Sequence, residues 1–160
     1  MKKIIETLKY LQGKKPMVYR GKGNFTELII KFKNGISSEE IDKIVKPSKL
    51  TLPGDYVTLL NFSNGMNFFE TSDCRLYDIK DIISSSKDDW VSEEYLHIAT
   101  FYEDSIYLKC DGSERNVYIS EEGFCPLRPM NMSLKAFLDA SLCSGFSYFW
   151  LWGTDDYDLY

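Results

Sequence analysis

Few residues of this chain could serve as nucleophiles or metal ligands. His97 is the only histidine, and the four cysteines, Cys74, Cys110, Cys125 and Cys143, are widely spaced and form no CxxC pair. Zinc sites use Cys and His ligands at short, regular spacings, so the sequence predicts no metal centre. A cysteine nucleophile needs a base close in space, and His97 could supply one, so a small cysteine hydrolase stays open as a hypothesis.

The setting of His97 favours an ordinary strand residue over a catalytic base. It lies between Leu96 and Ile98 in a predicted strand. Alternation along a strand would point those two apolar side chains to one face and the imidazole to the other.

Sequence motifs of other enzyme classes are absent. The chain has no GxSxG nucleophile elbow, no Walker phosphate loop and no GxGxxG fingerprint. Gly21 and Gly23 flank Lys22, and such a loop could bind phosphate if it opened a helix, but here it leads toward a predicted strand. We therefore expect a non-enzymatic protein without a bound cofactor.

Composition and charge limit the classes of protein and of binding partner that fit this chain. The chain has 160 residues, 44% hydrophobic and 15% aromatic, and a net charge of −5. This length fits one domain spanning residues 1–160. The negative charge disfavours nucleic acid and suits a basic protein partner. Adjacent acids, which could steer such a partner, are Glu39-Glu40, Asp88-Asp89, Glu93-Glu94, Glu103-Asp104, Glu121-Glu122 and Asp155-Asp156.

No targeting or membrane segment is visible in the sequence. Glu6, Thr7, Lys9 and Gln12 interrupt the apolar run that a signal peptide would need. No apolar stretch is long enough to cross a bilayer. We therefore expect reduced cysteines, a cytoplasmic location and no membrane partner.

The N-terminal third predicts a helix, a strand and a second helix. Gly13 and Pro16 should end the first helix, residues 14–24 should form a loop, and Leu28–Phe32 should form a strand that ends at Asn34-Gly35. Ser37 and Glu40 have the spacing of a capping box at the start of the next helix.

The segment Leu52–Gly65 predicts a short core helix. Pro53 and Asp55 suit its first turn, since Pro needs no N–H there and a carboxylate favours the helix start. Tyr56, Leu59 and Leu60 make one apolar face. Asn64 and Gly65 are expected to supply the left-handed residues that end it.

The remainder predicts a sheet closed by a helix. MNFFE, CRLYDI, LHIATF, SIYLKC and NVYIS are the predicted strands, and DIISSSKDDW is a short helix or turn. Asp111-Gly112 suits a hairpin connection, while Pro126 and Pro129 limit the following strand to an edge. Ser133 should cap the last helix. The fold class predicted is α+β, with a mainly antiparallel sheet and helices packed against it.

The last fifteen residues, FSYFWLWGTDDYDLY, combine seven aromatic rings with three carboxylates. Aromatic side chains beside charge are typical of interface anchors. The candidate partner-binding residues are Trp150, Trp152, Asp155, Asp156, Tyr157 and Asp158. The alternative is a last element that covers the sheet, followed by an acidic end.

The order of these segments resembles the SUKH superfamily, typified by the fungal cell-wall assembly regulator. The similar segments are ISSEEIDKIVKPSKLTLP, LPGDYVTLLNFSNG, Leu76 to Ile82, YLHIATFYEDSIYLKCDG, NVYISEEG and PLRPMNMSLKAFLDASL. They cover residues 37–143, between an N-terminal helix and strand (1–36) and the tail (144–160). One departure is Asp104-Ser105, where many members carry Gly-Asp.

The resemblance implies a protein-binding module, in particular a bacterial immunity protein of a polymorphic toxin system. Such an antitoxin would bind a cognate toxin, often a basic nuclease, and block its active site. The alternative that the resemblance implies is a regulatory scaffold domain that binds host signalling or cell-wall proteins.

Overall fold

The computed structural model describes residues 1–19, 24–48, 50–70, 74–85, 91–121 and 126–151. Its helices are α1 (Lys2–Lys14), α2 (Ser38–Val45), α3 (Gly54–Phe62), α4 (Ile79–Ser85) and α5 (Leu134–Cys143). Its strands are β1 (Met17–Tyr19), β2 (Phe25–Glu27), β3 (Lys31–Phe32), β4 (Met66–Asn67), β5 (Cys74–Leu76), β6 (Tyr95–Phe101), β7 (Asp104–Lys109), β8 (Val117–Ser120) and β9 (Arg128–Pro129).

Strands β3 to β9 form one antiparallel sheet in the described part of the chain. Their order across the sheet follows the sequence, so each strand pairs with the next. The order is that of a meander, in which every neighbour pair is antiparallel. The predicted α+β class with an antiparallel sheet is confirmed.

One face of this sheet packs with the helices into the core. Ile106 and Leu108 of β7 are buried together with Leu59 of α3 and Phe137 of α5. A register shift between His97 and Ala99 turns two successive residues of β6, Ile98 and Ala99, inward, and both are 0% exposed.

Two helix starts form as their sequences predict. Ser37 Oγ accepts a hydrogen bond from the Glu40 N–H, and a carboxylate oxygen of Glu40 accepts one from the Ser37 N–H, which completes the capping box. Ser133 Oγ accepts from the Ala136 N–H at the start of α5. These short-range patterns depend on three-residue spacing alone, which is why the sequence shows them.

The end of α3 differs from the prediction. Ser63, rather than Asn64, follows the helix, in extended backbone, and Gly65 has a positive φ of 99° while Asn64 does not. The side chain of Asn64 instead accepts a hydrogen bond from the N–H of Ile79 at the start of α4. Asn64 therefore joins two elements, which local propensity could not show.

The N-terminal region also corrects the prediction. Part of the expected loop over residues 14–24 is strand β1, which pairs with β2, and Tyr19 and Phe25 contact each other across the hairpin with ring centroids 5.4 Å apart. Aromatic cross-strand pairs stabilise such ribbons even when exposed. The strand predicted at Leu28–Phe32 is regular only at Lys31–Phe32. Just before it, the Ile29 N–H donates a hydrogen bond to the Phe68 carbonyl, which follows β4, the strand that pairs with β3.

Among the described residues, no helix is both long enough and apolar enough to cross a bilayer.

Candidate functional site

The segment that follows α5 turns back onto the core. Gly145 and Phe146 have φ values of 63° and 62°, which reverse the chain. A Cβ at Gly145 would lie 2.9 Å from the Cβ of Val18, so glycine is needed both for the turn and for this close approach. Phe146 then stacks on Phe68 at 4.1 Å between ring centroids.

Trp150 is fixed by one hydrogen bond and by two core rings. Its indole Nε1 donates to Oδ2 of Asp104 at 2.9 Å. Its ring lies 6.3 Å from the rings of Phe101 and Phe137. The side chain is half-buried, so part of the indole still faces outward.

We call the surface made by Tyr102, Tyr148, Phe149 and Trp150 the aromatic corner. Tyr102 and Tyr148 stack at 4.3 Å, and the Tyr102 hydroxyl donates to the Phe146 carbonyl at 3.0 Å. All four rings are half-buried. Rings held in this way lose little conformational entropy when a partner covers them.

Carboxylates lie beside the aromatic corner. Glu103 is exposed in the β6–β7 turn and Asp104 is 6% exposed beneath Trp150. Of the six predicted partner-binding residues, the structure describes Trp150. Trp152, Asp155, Asp156, Tyr157 and Asp158 lie outside the described residues.

The second face of the sheet carries a row of rings, of which the sequence analysis singled out only His97. His97 stacks on Tyr107 at 4.9 Å and meets the edge of Tyr77 at 5.0 Å, while Tyr95 meets the edge of Tyr118 at 5.0 Å. We call these five residues the tyrosine face. The alternation of YLHIATF, SIYLK and VYIS carries the signal, since the rings occupy the positions between core residues.

Two basic side chains, Lys109 and Arg75, border the tyrosine face. Nearby carboxylates balance the charge of Lys109. Its Nζ lies 2.9 Å from Asp111 Oδ2 and 3.7 Å from Glu94 Oε1. The hydrogen bond with Asp111 raises the pKa of Lys109, while hydrogen bonds from Ser113 and then Lys109 lower the pKa of Asp111. Arg75 lies over the Tyr77 ring, 4.7 Å from its centroid.

The groups that a cysteine hydrolase would need lie apart where the structure describes them. Cys74 and Cys110 are in the core, while His97 belongs to the second face of the sheet. Burial raises the pKa of the Cys110 thiol to about 12, which keeps it protonated at neutral pH. Cys143 is exposed on α5. No group of three His, Cys, Asp or Glu that could hold a metal ion occurs in the described ranges.

The fold is an α+β domain with a cluster of half-buried aromatic rings at the aromatic corner. The model of the SMI1/KNR4 family (SUKH-1) matches residues 35–140, and the chain belongs to this family. Membership fits a protein-binding or immunity-type role. No curated protein matches the chain significantly.

Proposed function

We propose that this protein is an immunity protein that binds a cognate toxin and blocks its active site in the cytoplasm of the cell that makes both. Family membership supports a protein-binding role, and the aromatic corner is the observation that carries the choice of surface. The net charge of −5 favours a basic partner.

The contact surface in this proposal is the aromatic corner together with residues 152–160, the part of the tail that follows it in sequence. Trp150 fixes the end of the described chain on the core, because its indole donates to Asp104 and packs on Phe101. The tail residues Trp152, Asp155, Asp156, Tyr157 and Asp158 would extend this surface with rings and negative charge. A toxin with a basic active-site cleft would be covered by such a surface.

Capture experiments with two charge-matched variants test this proposal. In the tail variant, Asp155→Asn, Asp156→Asn and Asp158→Asn change the net charge from −5 to −2, since three negative charges are removed. The control variant removes the same charge elsewhere, through Glu6→Gln, Glu27→Gln and Asp42→Asn at exposed positions outside the acidic pairs. Each tagged protein is incubated with native cell lysate, and bound proteins are identified and quantified by mass spectrometry.

We expect the wild type and the control to recover one toxin domain at near-equal molar amount, and the tail variant to recover much less. Equal recovery by all three proteins would remove the tail from the interface. Recovery of host regulatory proteins in place of a toxin would favour the scaffold alternative, for which the tyrosine face with Arg75 offers a separate surface.

A further inference from the structure

The N-terminal helix and the β1–β2 ribbon carry a charge opposite to that of the rest of the molecule. Residues 1–19 and 24–27 contain five lysines and two glutamates, a net charge of +3, so the rest of the chain carries −8 of the total of −5. This basic part lies outside the family match, which begins at residue 35. All five lysines are exposed, and none forms an ion pair with another described residue: Lys2, Lys3, Lys9, Lys14 and Lys15.

The outer side of α1 combines lysines with an exposed ring. Lys3, Tyr10 and Lys14 follow the spacing of one helix face and form a single stripe. The Nζ of Lys14 lies 5.6 Å from the centroid of the Tyr10 ring. On the opposite side, Ile4 and Leu8 are buried in the core. The apolar side of α1 is therefore occupied, and the stripe is the side that a partner can reach.

The outer face of the β1–β2 ribbon is apolar. Met17 and Tyr19 lie on the same face because alternate residues of a strand share one, and Phe25 joins them as the residue paired with Tyr19. Val18, between them, points the other way and is half-buried. Met17, Tyr19 and Phe25 are 59%, 47% and 64% exposed, and with Tyr10 they are the exposed large apolar side chains of the described chain. Such groups gathered in one region indicate a contact surface.

Lysines beside exposed apolar groups suit an anionic lipid surface better than a nucleic acid. Lysine is a compact point charge, which fits a layer of dispersed headgroups, whereas arginine is the residue of choice for nucleic-acid phosphates. A lipid interface accepts Met17 as readily as the rings, whereas bases stack on planar rings alone. A membrane also touches one side of the molecule, so the acidic remainder stays in water.

We propose that the Lys3–Tyr10–Lys14 stripe and the outer face of the β1–β2 ribbon bind the anionic surface of a membrane peripherally. The lysines meet the headgroups, and Met17 and Phe25 enter the boundary between headgroups and acyl chains. Such a contact needs no spanning helix, so it replaces the expectation of no membrane partner, which came from the lack of a spanning segment. Its biological meaning rests on the proposed function, since it would hold the immunity protein at the cytoplasmic face of the membrane.

Flotation of the full-length protein with lipid vesicles tests this contact without any toxin. One set of vesicles is pure phosphatidylcholine, which is neutral overall, and the other contains equal parts of phosphatidylcholine and phosphatidylglycerol, which is anionic. We expect the protein to float with the anionic vesicles and to remain unbound with the neutral ones. Raised salt should release it, because salt screens the attraction between lysines and headgroups.

Two variants with the same net charge of −8 test the basic part of the contact, since each loses three lysines from a chain of charge −5. The helix variant carries Lys3→Gln, Lys14→Gln and Lys15→Gln. The control carries Lys43→Gln, Lys80→Gln and Lys135→Gln at exposed positions elsewhere. We expect the partition of the helix variant onto anionic vesicles to fall about tenfold or more, and that of the control to match the wild type. An equal loss in both variants would overturn the proposal.

The ribbon is tested at constant charge. Met17→Ser combined with Phe25→Ser should weaken the partition several-fold, whereas Phe25→Trp keeps an interfacial ring and should retain it. Circular dichroism checks that each variant folds. The proposal is overturned if the protein binds neither set of vesicles or both equally. It is also overturned if heparin binds as tightly as the anionic vesicles and the serine variant is unaffected, because the site would then recognise polyanions alone. Failure of toxin capture would leave the flotation result intact, so the two proposals fail separately.

Discussion

The hydrogen bond from Trp150 to Asp104 joins the segment that follows α5 to the first residue of β7 and can be tested by a single substitution. Trp150→Phe keeps an aromatic ring but removes the Nε1 donor to the buried carboxylate. Hydrogen bonds to charged groups contribute about 1.5–3 kcal/mol, so we expect the free energy of unfolding to fall by about 2 kcal/mol in urea titrations. Tyr10→Phe, at a 65% exposed ring, is the control and should change it little. An unchanged stability for Trp150→Phe would show that the bond does not hold this segment.

The cysteines of the described core should be chemically inert in the folded protein. Cys110 has a raised pKa through burial, and Cys74 is 0% exposed, whereas Cys143 is exposed. Since the thiolate is the reactive form, iodoacetamide at pH 8 should modify Cys143 first and Cys74 and Cys110 only after unfolding. Peptide mass spectrometry at timed intervals measures this order. Rapid modification of Cys110 under native conditions would revive the cysteine hydrolase hypothesis.

At the scale of elements, Asp78 controls the start of α4. Its Oδ1 accepts from the N–H groups of Lys80 and Asp81, and its Oδ2 lies 2.8 Å from Lys33 Nζ. Desolvation opposes ionisation, but the hydrogen bond and charge of Lys33 and the backbone bond from Asp81 outweigh it and lower the pKa of Asp78.

A lowered pKa in the folded state makes stability depend on pH in a defined direction. The contribution of Asp78 is present above the carboxyl's unfolded pKa of about 4 and is lost as the pH falls through the lower folded value. Asp78→Asn keeps a cap acceptor but loses the charge, and because Lys33 is largely exposed we expect a cost of about 0.5–1 kcal/mol at pH 7. Urea titrations at pH 7 and pH 3 should show this difference shrinking at pH 3. A gap that is constant with pH would contradict the assignment.

Gly35 marks the closest approach between the chain preceding α2 and helix α3. A Cβ at this position would lie 2.0 Å from the backbone oxygen of Asn61, and backbone cannot move aside as a side chain can. Gly35→Ala should therefore destabilise the protein by about 3 kcal/mol or more. Gly13→Ala in α1, where nothing lies within 4 Å of the added Cβ, is the matched control and should be neutral or stabilise by about 0.5 kcal/mol. Thermal unfolding of the two variants measures the contrast, and equal Tm values would contradict it.

The elements that the sequence predicts well are those specified by neighbours along the chain. The caps at Ser37 and Ser133 and the edge position of Pro129 follow from local chemistry. The role of Asn64 depends on α4, fifteen residues away, and therefore appears only in the tertiary structure. The alternation within β6, β7 and β8 indicates which residues point away from the core, but their assembly into the tyrosine face depends on the pairing of these strands and appears only in the tertiary structure.

At the scale of the whole molecule, the proposed contact surface lies at one end of strand β7, where the aromatic corner adjoins Glu103 in the turn before the strand. Glu103 is exposed there, and its carboxylate fits a basic partner. The net charge of −5 would speed the encounter with such a partner at low salt.

The most direct test of the central claim is growth protection. Cells are made to produce the toxin domain recovered by capture, together with the wild-type chain, the tail variant or the control variant, and their growth rate is measured. We expect wild type and control to restore growth, and the tail variant to fail although it folds. If the wild-type chain binds this domain yet cells still stop growing, the chain is a binding module without immunity function and the account is wrong.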